Sequence, residues 1–293
     1  MPARAILVTG CDQRYLYLLR MFLRSFIDAR CPDILDLGIF DIDFTAPQKE
    51  SLAKVATHIV PACSPMQALV PVEKERHPLP SLVRPYLPDL FPGYDIYLYS
   101  DVDVWVQDRR GFELYIEAAA QGCMGIAPQD DRAYRHDDRA LKIRHDRYRE
   151  VFGVAVADEL MTVPHLNAGI FSLPRLAPHW ARWGEIWADA IGRKAQWFGS
   201  GQAILTRMIY QDGMAAVLMP ALCNWQCHLA LPAWDELRRC YVEPGPPHEK
   251  ILLMHMTANT KGQAHNIATV QGNMLRDIKL TYPQYRHLVD GTA

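Results

Sequence analysis

The chain has 293 residues, 49% of them hydrophobic and 22% charged, and its 31 Lys plus Arg against 33 Asp plus Glu leave a net charge of −2. Those fractions are ordinary for a globular chain and exclude disordered, collagen-like and low-complexity classes. Near-neutrality also excludes a general nucleic-acid binder, which needs a basic field for its phosphate contacts.

A chain of this length buries roughly 75% of the surface its unfolded form exposes, so a core needs no disulfide staples. Seven scattered cysteines fit reduced thiols. The apolar run Ala5 to Val8 is too short for a signal-peptide core, and no apolar run approaches the ~20 residues of a membrane span. The expected setting is cytoplasmic.

In chain order, Ala5 to Thr9 ends in Gly10 and reads as a buried parallel strand. Leu16, Leu19, Phe22, Leu23 and Phe26 recur at helical spacing. A second strand covers Leu35 to Ile42. Thr45 and Gln48 have capping-box spacing with Pro47 in the first turn, so a helix starts there, and His58 to Pro61 is a third strand. This β-α-β-α-β opening predicts parallel strands joined by right-handed crossovers. Pro61 to Pro92 carries many of the 21 prolines and reads as loop with a short helix around Leu82 to Leu90.

A strongly apolar strand, Tyr94 to Ser100, then runs into Asp101-Val102-Asp103. A helix over Gly111 to Gln121 and a strand over Met124 to Ala127 follow. Between Asp130 and Glu150 six acidic and seven basic residues mix, the composition of a solvated helix or lid laced with ion pairs. Leu166 to Leu173, Ala216 to Met219 and Ile251 to His255 read as strands. Pro178 to Ile191 and Gln202 to Tyr210 read as helices.

The Asp101/Asp103 pair is the sharpest chemical feature. Ligands of parallel sheets bind beyond the carboxyl ends of strands, where this pair falls. Two carboxylates one residue apart repel each other and lose hydration there, and a divalent cation with its phosphate ligand relieves both costs. Ordinary turn chemistry is the alternative. Cys223, Cys227 and His228 have metal-ligand types but lack a second ligand pair, so the cysteines read as buried or idle thiols. Trp180, Trp183 and Trp187 have helix-core spacing first and sugar-platform spacing second. G-x-x-x-x-G-K-[ST] and G-x-S-x-G are both missing, so P-loop and α/β-hydrolase readings lack their signatures.

Four segments in order resemble the glycogenin-like and lipopolysaccharide-galactosyltransferase-like family of retaining glycosyltransferases, which have the GT-A fold. They are Ile6 to Asp12 with Tyr15, Tyr97 to Asp103, Leu166 to Leu173 around Asn167-Ala168-Gly169, and His255-x-x-Ala258-x-x-Lys261. The resemblance implies an α/β fold of one domain, with a mostly parallel central sheet flanked by helices. It spans residues 1–273, as a nucleotide-binding half (1–127) and a donor-sugar and acceptor half (128–273), with 274–293 as a C-terminal tail.

It further implies that Asp101, Asp103 and His255 hold Mn²⁺ or Mg²⁺, a choice consistent with two oxygen ligands and one imidazole. By the same resemblance Thr9, Gly10, Asp12, Tyr15, Val102 and Lys261 bind the nucleotide. Arg84, Asn167, Gly169 and Gln202 contact the donor sugar, and Gln202 is the catalytic residue. The family's acidic partner of that glutamine is Gly201 here. Ala258 replaces a family glycine, which is tolerable at negative φ.

The implied activity is metal-dependent transfer of a hexose, a UDP-hexose being the favoured donor, to a glycan or lipid-linked acceptor with retention. Peripheral contact with the inner face of a membrane is left open. The alternatives are a catalytically weakened nucleotide- or sugar-binding protein, a D-x-D phosphatase and a sugar nucleotidyltransferase. The phosphatase motif normally lies near the chain start and has Thr or Val where Trp105 stands. The nucleotidyltransferase would need a Gly-rich N-terminal phosphate loop.

Overall fold

A computed structural model describes residues 3–63, 79–192 and 200–291. The first strands and helices are β1 (Ala5–Cys11), α1 (Leu16–Asp28), β2 (Asp36–Asp41), α2 (Ala46–Leu52), β3 (His58–Pro61), α3 (Leu79–Leu82) and α4 (Leu87–Leu90). Next come β4 (Ile96–Ser100), β5 (Val104–Val106), α5 (Arg110–Ala120), β6 (Met124–Pro128), α6 (Asp138–Phe152), α7 (Val154–Leu160) and β7 (Leu166–Pro174). The rest are α8 (His179–Gly192), α9 (Ser200–Tyr210), β8 (Ala216–Leu218), β9 (Trp225–Gln226), β10 (Ala233–Asp235), β11 (Cys240–Val242), β12 (Leu253–His255), β13 (Ala264–Ala268), β14 (Met274–Lys279) and α10 (Tyr282–Asp290).

Seven strands form the central sheet in the order β3-β2-β1-β4-β7-β6-β8. The pairs β3-β2, β2-β1, β1-β4 and β6-β8 are parallel, whereas β7 runs antiparallel to both β4 and β6. The expectation of a mostly parallel α/β sheet flanked by helices holds. Along β4 the side chains alternate between two cores, Ile96 and Leu98 on one face, Tyr97 and Tyr99 on the other. Trp183 and Trp187 of α8 are fully buried and Trp180 nearly so, which fits the helix-core reading. Thr45 makes the expected capping box with Gln48 at the start of α2.

Asp137 caps α6, the helix within the charge-rich segment, through an Oδ1 contact of 2.6 Å from the Ala140 N–H. The outer face of α6 carries the expected ion pairs, among them Lys142–Asp146 and Arg149–Asp146. The segment after Asn273, expected as a tail, instead forms β14 and α10. Its Leu280 carbonyl accepts from the Trp105 indole, and Tyr282 Oη donates to Asp28 of α1.

A second, three-stranded sheet in the order β5-β12-β9 positions the site. The chain leaves the main sheet at the end of β4, turns through Asp101-Val102-Asp103, and enters the small sheet as β5. There β12 pairs antiparallel with β5, Val104 opposite His255, and parallel with β9, His255 opposite Gln226. The turn lies at the carboxyl end of β4, beside β1, where the strand order reverses and open α/β sheets place their ligands.

Candidate metal and nucleotide site

Strand register delivers the three expected metal ligands to one place. One ligand atom from each of Asp101, Asp103 and His255 lies within 4.8 Å of the others, and among the described residues no other His, Cys, Asp or Glu trio does so. Asp101 is fixed from behind, because its Oδ1 accepts from Arg84 Nη2 at 2.7 Å and Tyr99 Oη at 3.1 Å. Arg84 is buried rather than on a helix surface. It also donates to the carbonyls of Pro80 and Ala168 and stacks over the Tyr99 ring at 4.3 Å.

Asp103 Oδ1 lies 3.2 Å from His255 Nε2, and its Oδ2 lies 2.5 Å from Lys261 Nζ. Burial would raise both carboxyls. It prevails for Asp101 over the opposing Arg84 charge, whereas His255 and Lys261 together hold Asp103 below the usual carboxylate range.

His255 is oriented by a buried carboxamide chain that the sequence did not disclose. Its Nδ1 lies 2.8 Å from Asn224 Oδ1, the Asn224 amide donates to Asn167 Oδ1 at 3.0 Å, and the Asn167 amide donates to Gln226 Oε1 at 3.0 Å. With the Asn224 amide nitrogen spent on Asn167, its oxygen receives Nδ1–H, so Nε2 is the ring atom left for a cation.

Gly169 closes the other side. A Cβ there would stand 2.4 Å from His255 Cε1, 2.8 Å from Asn167 Oδ1 and 3.0 Å from Asp101 Oδ2. Its carbonyl accepts from Asp101 N at 2.7 Å, and the β6–β7 ladder breaks over the same stretch, between the pairs Ile126–Phe171 and Ala127–Asn167. Two carboxylates and one imidazole around a space that excludes even a methyl group suit a hard divalent cation.

The other expected site residues divide. Tyr15 is exposed at 43%, and the Arg14 guanidinium lies over one face of its ring, 5.8 Å from the centroid. Thr9 is buried at the end of β1, and its Oγ1 has no hydrogen-bond partner among the described residues. Val102 buries its side chain in the core, leaving its main chain in the turn.

Asp12 is engaged by its own neighbourhood: Oδ2 accepts from Arg14 Nη2 at 2.6 Å and Nε at 3.0 Å, and Oδ1 caps the following turn through Arg14 N. Gly10 has a packing role, because a Cβ would come within 2.6 Å of Phe40 Cβ. The Asn167 carboxamide is consumed by Gly169 N, Asn224 and Gln226, so it holds the site's frame.

Ala258 has φ +50°, in the left-handed region, so the negative φ at which alanine is readily tolerated does not apply. The turn between His255 and Lys261 therefore keeps a glycine-like backbone without a glycine. Gly201 is buried, and among the described residues a built Cβ there would meet only Trp187 Cζ2, at 3.9 Å, an ordinary contact.

Gln202, on the first turn of α9, faces a residue that the sequence reading passed over. Its Oε1 lies 3.2 Å from Nε2 of His165, and His165 Nδ1 lies 2.5 Å from the Tyr148 hydroxyl. Cys223 and Cys227 are free and buried, as read, and His228 contacts Thr257.

No protein-family model matches the sequence, and no curated protein matches it. Solved structures do. The galactosyltransferase LgtC in complex with donor and acceptor sugar analogs superposes with TM-score 0.59 at 12% identity, over 97% of this chain and 95% of that one. The bifunctional glycosyltransferase WbbM gives 0.55 at 14%, over 99% of this chain and 50% of that one. The glycosyltransferase GlyE of Streptococcus pneumoniae TIGR4 gives 0.51 at 14%, over 99% and 63%. The chain thus has the fold of the GT-A glycosyltransferases. No helix among the described residues is long and apolar enough to cross a membrane.

Proposed function

We propose that this protein is a metal-dependent glycosyltransferase that moves a hexose from a nucleotide-diphosphate sugar, a UDP-hexose, to a glycan or lipid-linked acceptor. The observation that carries this reading is the convergence of Asp101, Asp103 and His255 within 4.8 Å at the carboxyl end of β4, in a GT-A fold. In this reading residues 1–127 hold the nucleotide and 128–273 the donor sugar and acceptor.

Asp101 Oδ2, an Asp103 oxygen and His255 Nε2 would hold Mn²⁺ or Mg²⁺. When bound, the cation supplies Lewis-acid stabilisation of the leaving nucleoside diphosphate. Arg84 and Tyr99 keep Asp101 aimed by occupying its far oxygen, and Asn224 keeps the His255 lone pair aimed. Lys261 offers a point charge for the diphosphate, and Tyr15 a stacking face for the base. Local cations thus serve an anionic ligand without a basic surface.

The test is thermal unfolding in UDP and other nucleotides with and without Mn²⁺. A ligand at 100 times its Kd stabilises the fold by about 2.7 kcal/mol, and that gain is expected with UDP only when Mn²⁺ is present. No metal-dependent shift with any nucleotide would sink the reading. Binding without hydrolysis or transfer would instead favour a nucleotide-sugar-binding protein, the alternative that Gly201 in place of a carboxylate supports.

We further propose that transfer proceeds with retention. A carboxamide such as Gln202 is a poor nucleophile, which disfavours a covalent glycosyl intermediate on it. One structure of LgtC carries an active-site glutamine-to-glutamate substitution, and a glutamine at the reacting centre is the role given to Gln202 here. The acceptor hydroxyl then attacks the anomeric carbon from the face the diphosphate leaves. The carbon–oxygen bond to the diphosphate breaks, and the hydroxyl proton passes to the departing diphosphate. NMR of the product is expected to show the donor's anomeric configuration, and an inverted centre would remove this mechanism.

A further inference from the structure

Behind Gln202 lies a buried polar chain that the proposed chemistry does not yet use. His165 is 7% exposed and Tyr148 fully buried, so their polar atoms must find partners within the protein. The Thr206 hydroxyl beside them donates to the Gln202 carbonyl at 2.8 Å and accepts from Leu166 N at 3.1 Å, so it has no proton left for the ring. Its oxygen lies 3.4 Å from His165 Nδ1, whereas Tyr148 Oη lies 2.5 Å from the same nitrogen. Gln202 Oε1, 3.2 Å from Nε2, can only accept, so the ring carries its proton on Nε2 and Nδ1 accepts from the nearer hydroxyl, Tyr148 Oη.

We infer that His165, locked as its Nε2–H tautomer by Tyr148, is the positioning residue that fixes the carboxamide of Gln202 at the reacting centre. This rests on the glycosyltransferase reading above.

The pair is built to be rigid. Tyr148 sits on α6 and packs edge-on against the His165 ring, 5.4 Å between centroids at 71°. The main chain of His165 is held by Gln129, whose N–H donates to the His165 carbonyl. Arg144, one turn before Tyr148 on α6, donates to His136 Nδ1 at 3.3 Å, which brings a guanidinium to this side of the site. Burial first, and then the Arg144 charge, push the imidazole down to about 3, so it stays neutral at physiological pH.

Two consequences follow for Gln202. One lone pair of Oε1 is committed to His165, which weakens that oxygen further as a nucleophile, and the –NH₂ is left facing away from His165 as a donor. A neutral imidazole is required for this, because an imidazolium would also protonate Nδ1 and break the bond from Tyr148.

The experiment is a double-mutant cycle read by UDP-sugar hydrolysis with Mn²⁺, with UDP affinity measured alongside. His165→Phe is expected to lower kcat about tenfold or more while UDP·Mn²⁺ affinity stays within about twofold. His165→Gln, which keeps a donor, should recover most of the loss. In a Gln202→Ala background His165→Phe should have no further effect on kcat. An equal loss in both backgrounds means His165 does not act through Gln202 and overturns the inference.

Should His165→Phe fail to fold, Tyr148→Phe and ¹⁵N NMR of wild-type His165 decide the matter. The expected result is a neutral ring protonated at Nε2 between about pH 5 and 8. A proton on Nδ1, or unchanged kcat in Tyr148→Phe, overturns the inference. Wild-type protein that binds no nucleoside diphosphate with Mn²⁺ overturns both this inference and the glycosyltransferase reading. Wild-type hydrolysis with additive variants overturns the inference alone.

Discussion

Asp103→Asn is expected to abolish the Mn²⁺-dependent stabilisation by UDP and to lower sugar-nucleotide turnover by at least about 100-fold, leaving the fold intact. Asp103 is the hub of the site, since Oδ1 meets His255 Nε2 and Oδ2 meets Lys261 Nζ. Asparagine keeps the shape but removes the charge that a hard cation needs. The fold survives because main-chain bonds hold the turn: Val104 N donates to the Asp101 carbonyl, and Met256 N to the Asp103 carbonyl. Circular dichroism and thermal unfolding with and without UDP and Mn²⁺ check both halves of this result. Wild-type turnover in the variant would place the metal elsewhere.

Gly169→Ala is expected to be nearly as damaging, through sterics instead of charge. The added methyl would lie 2.4 Å from His255 Cε1 and 3.0 Å from Asp101 Oδ2, so at least one ligand must move out of register. Overpacking of this kind costs about 1–3 kcal/mol of stability, and the Mn²⁺-dependent nucleotide response should disappear with it. Gly201→Ala is the matched control. Among the described residues its methyl meets only Trp187 Cζ2, at 3.9 Å, so the fold and the metal response should both persist. Retained metal response in Gly169→Ala would show that the Gly169 wall is not part of the cation site.

The two results bear on different kinds of information. Asp103 was legible in the sequence because an apolar strand running into two carboxylates is a contiguous pattern with a physical reason behind it. The mostly parallel sheet, the capping box at Thr45 and the buried Trp face of α8 were legible for the same reason. Each is written in residues within one turn or one strand of each other. Gly169 was legible only by resemblance. Its steric reason needs the distance to His255, 86 positions away in the chain.

What the sequence hid is what strand pairing and helix packing assemble. Asn224 and Gln226 carry no local signal, and they matter because β9 pairs with β12 and brings them beside His255. Tyr99 had a faint signal, its place two residues after Tyr97 on one face of β4, but its role depends on Arg84 arriving from another element. Tyr148 and His165 meet only when α6 packs against the start of β7. Two local details also came only from the structure: Asp12 is engaged by Arg14, and Ala258 takes a positive φ.

By itself, then, the sequence determined the α/β class, the strand that ends in Asp101 and Asp103, and a near-neutral charge that requires any anionic ligand to be met by a few local cations. Only the tertiary structure decided how the candidate groups are held. Arg84 stands behind Asp101, Lys261 beside Asp103, and His255 is aimed by a carboxamide from another strand. The reason is that hydrogen-bond geometry over a few ångströms is set by register between strands distant in the chain, and a one-residue slip in β12 would turn His255 to the opposite face.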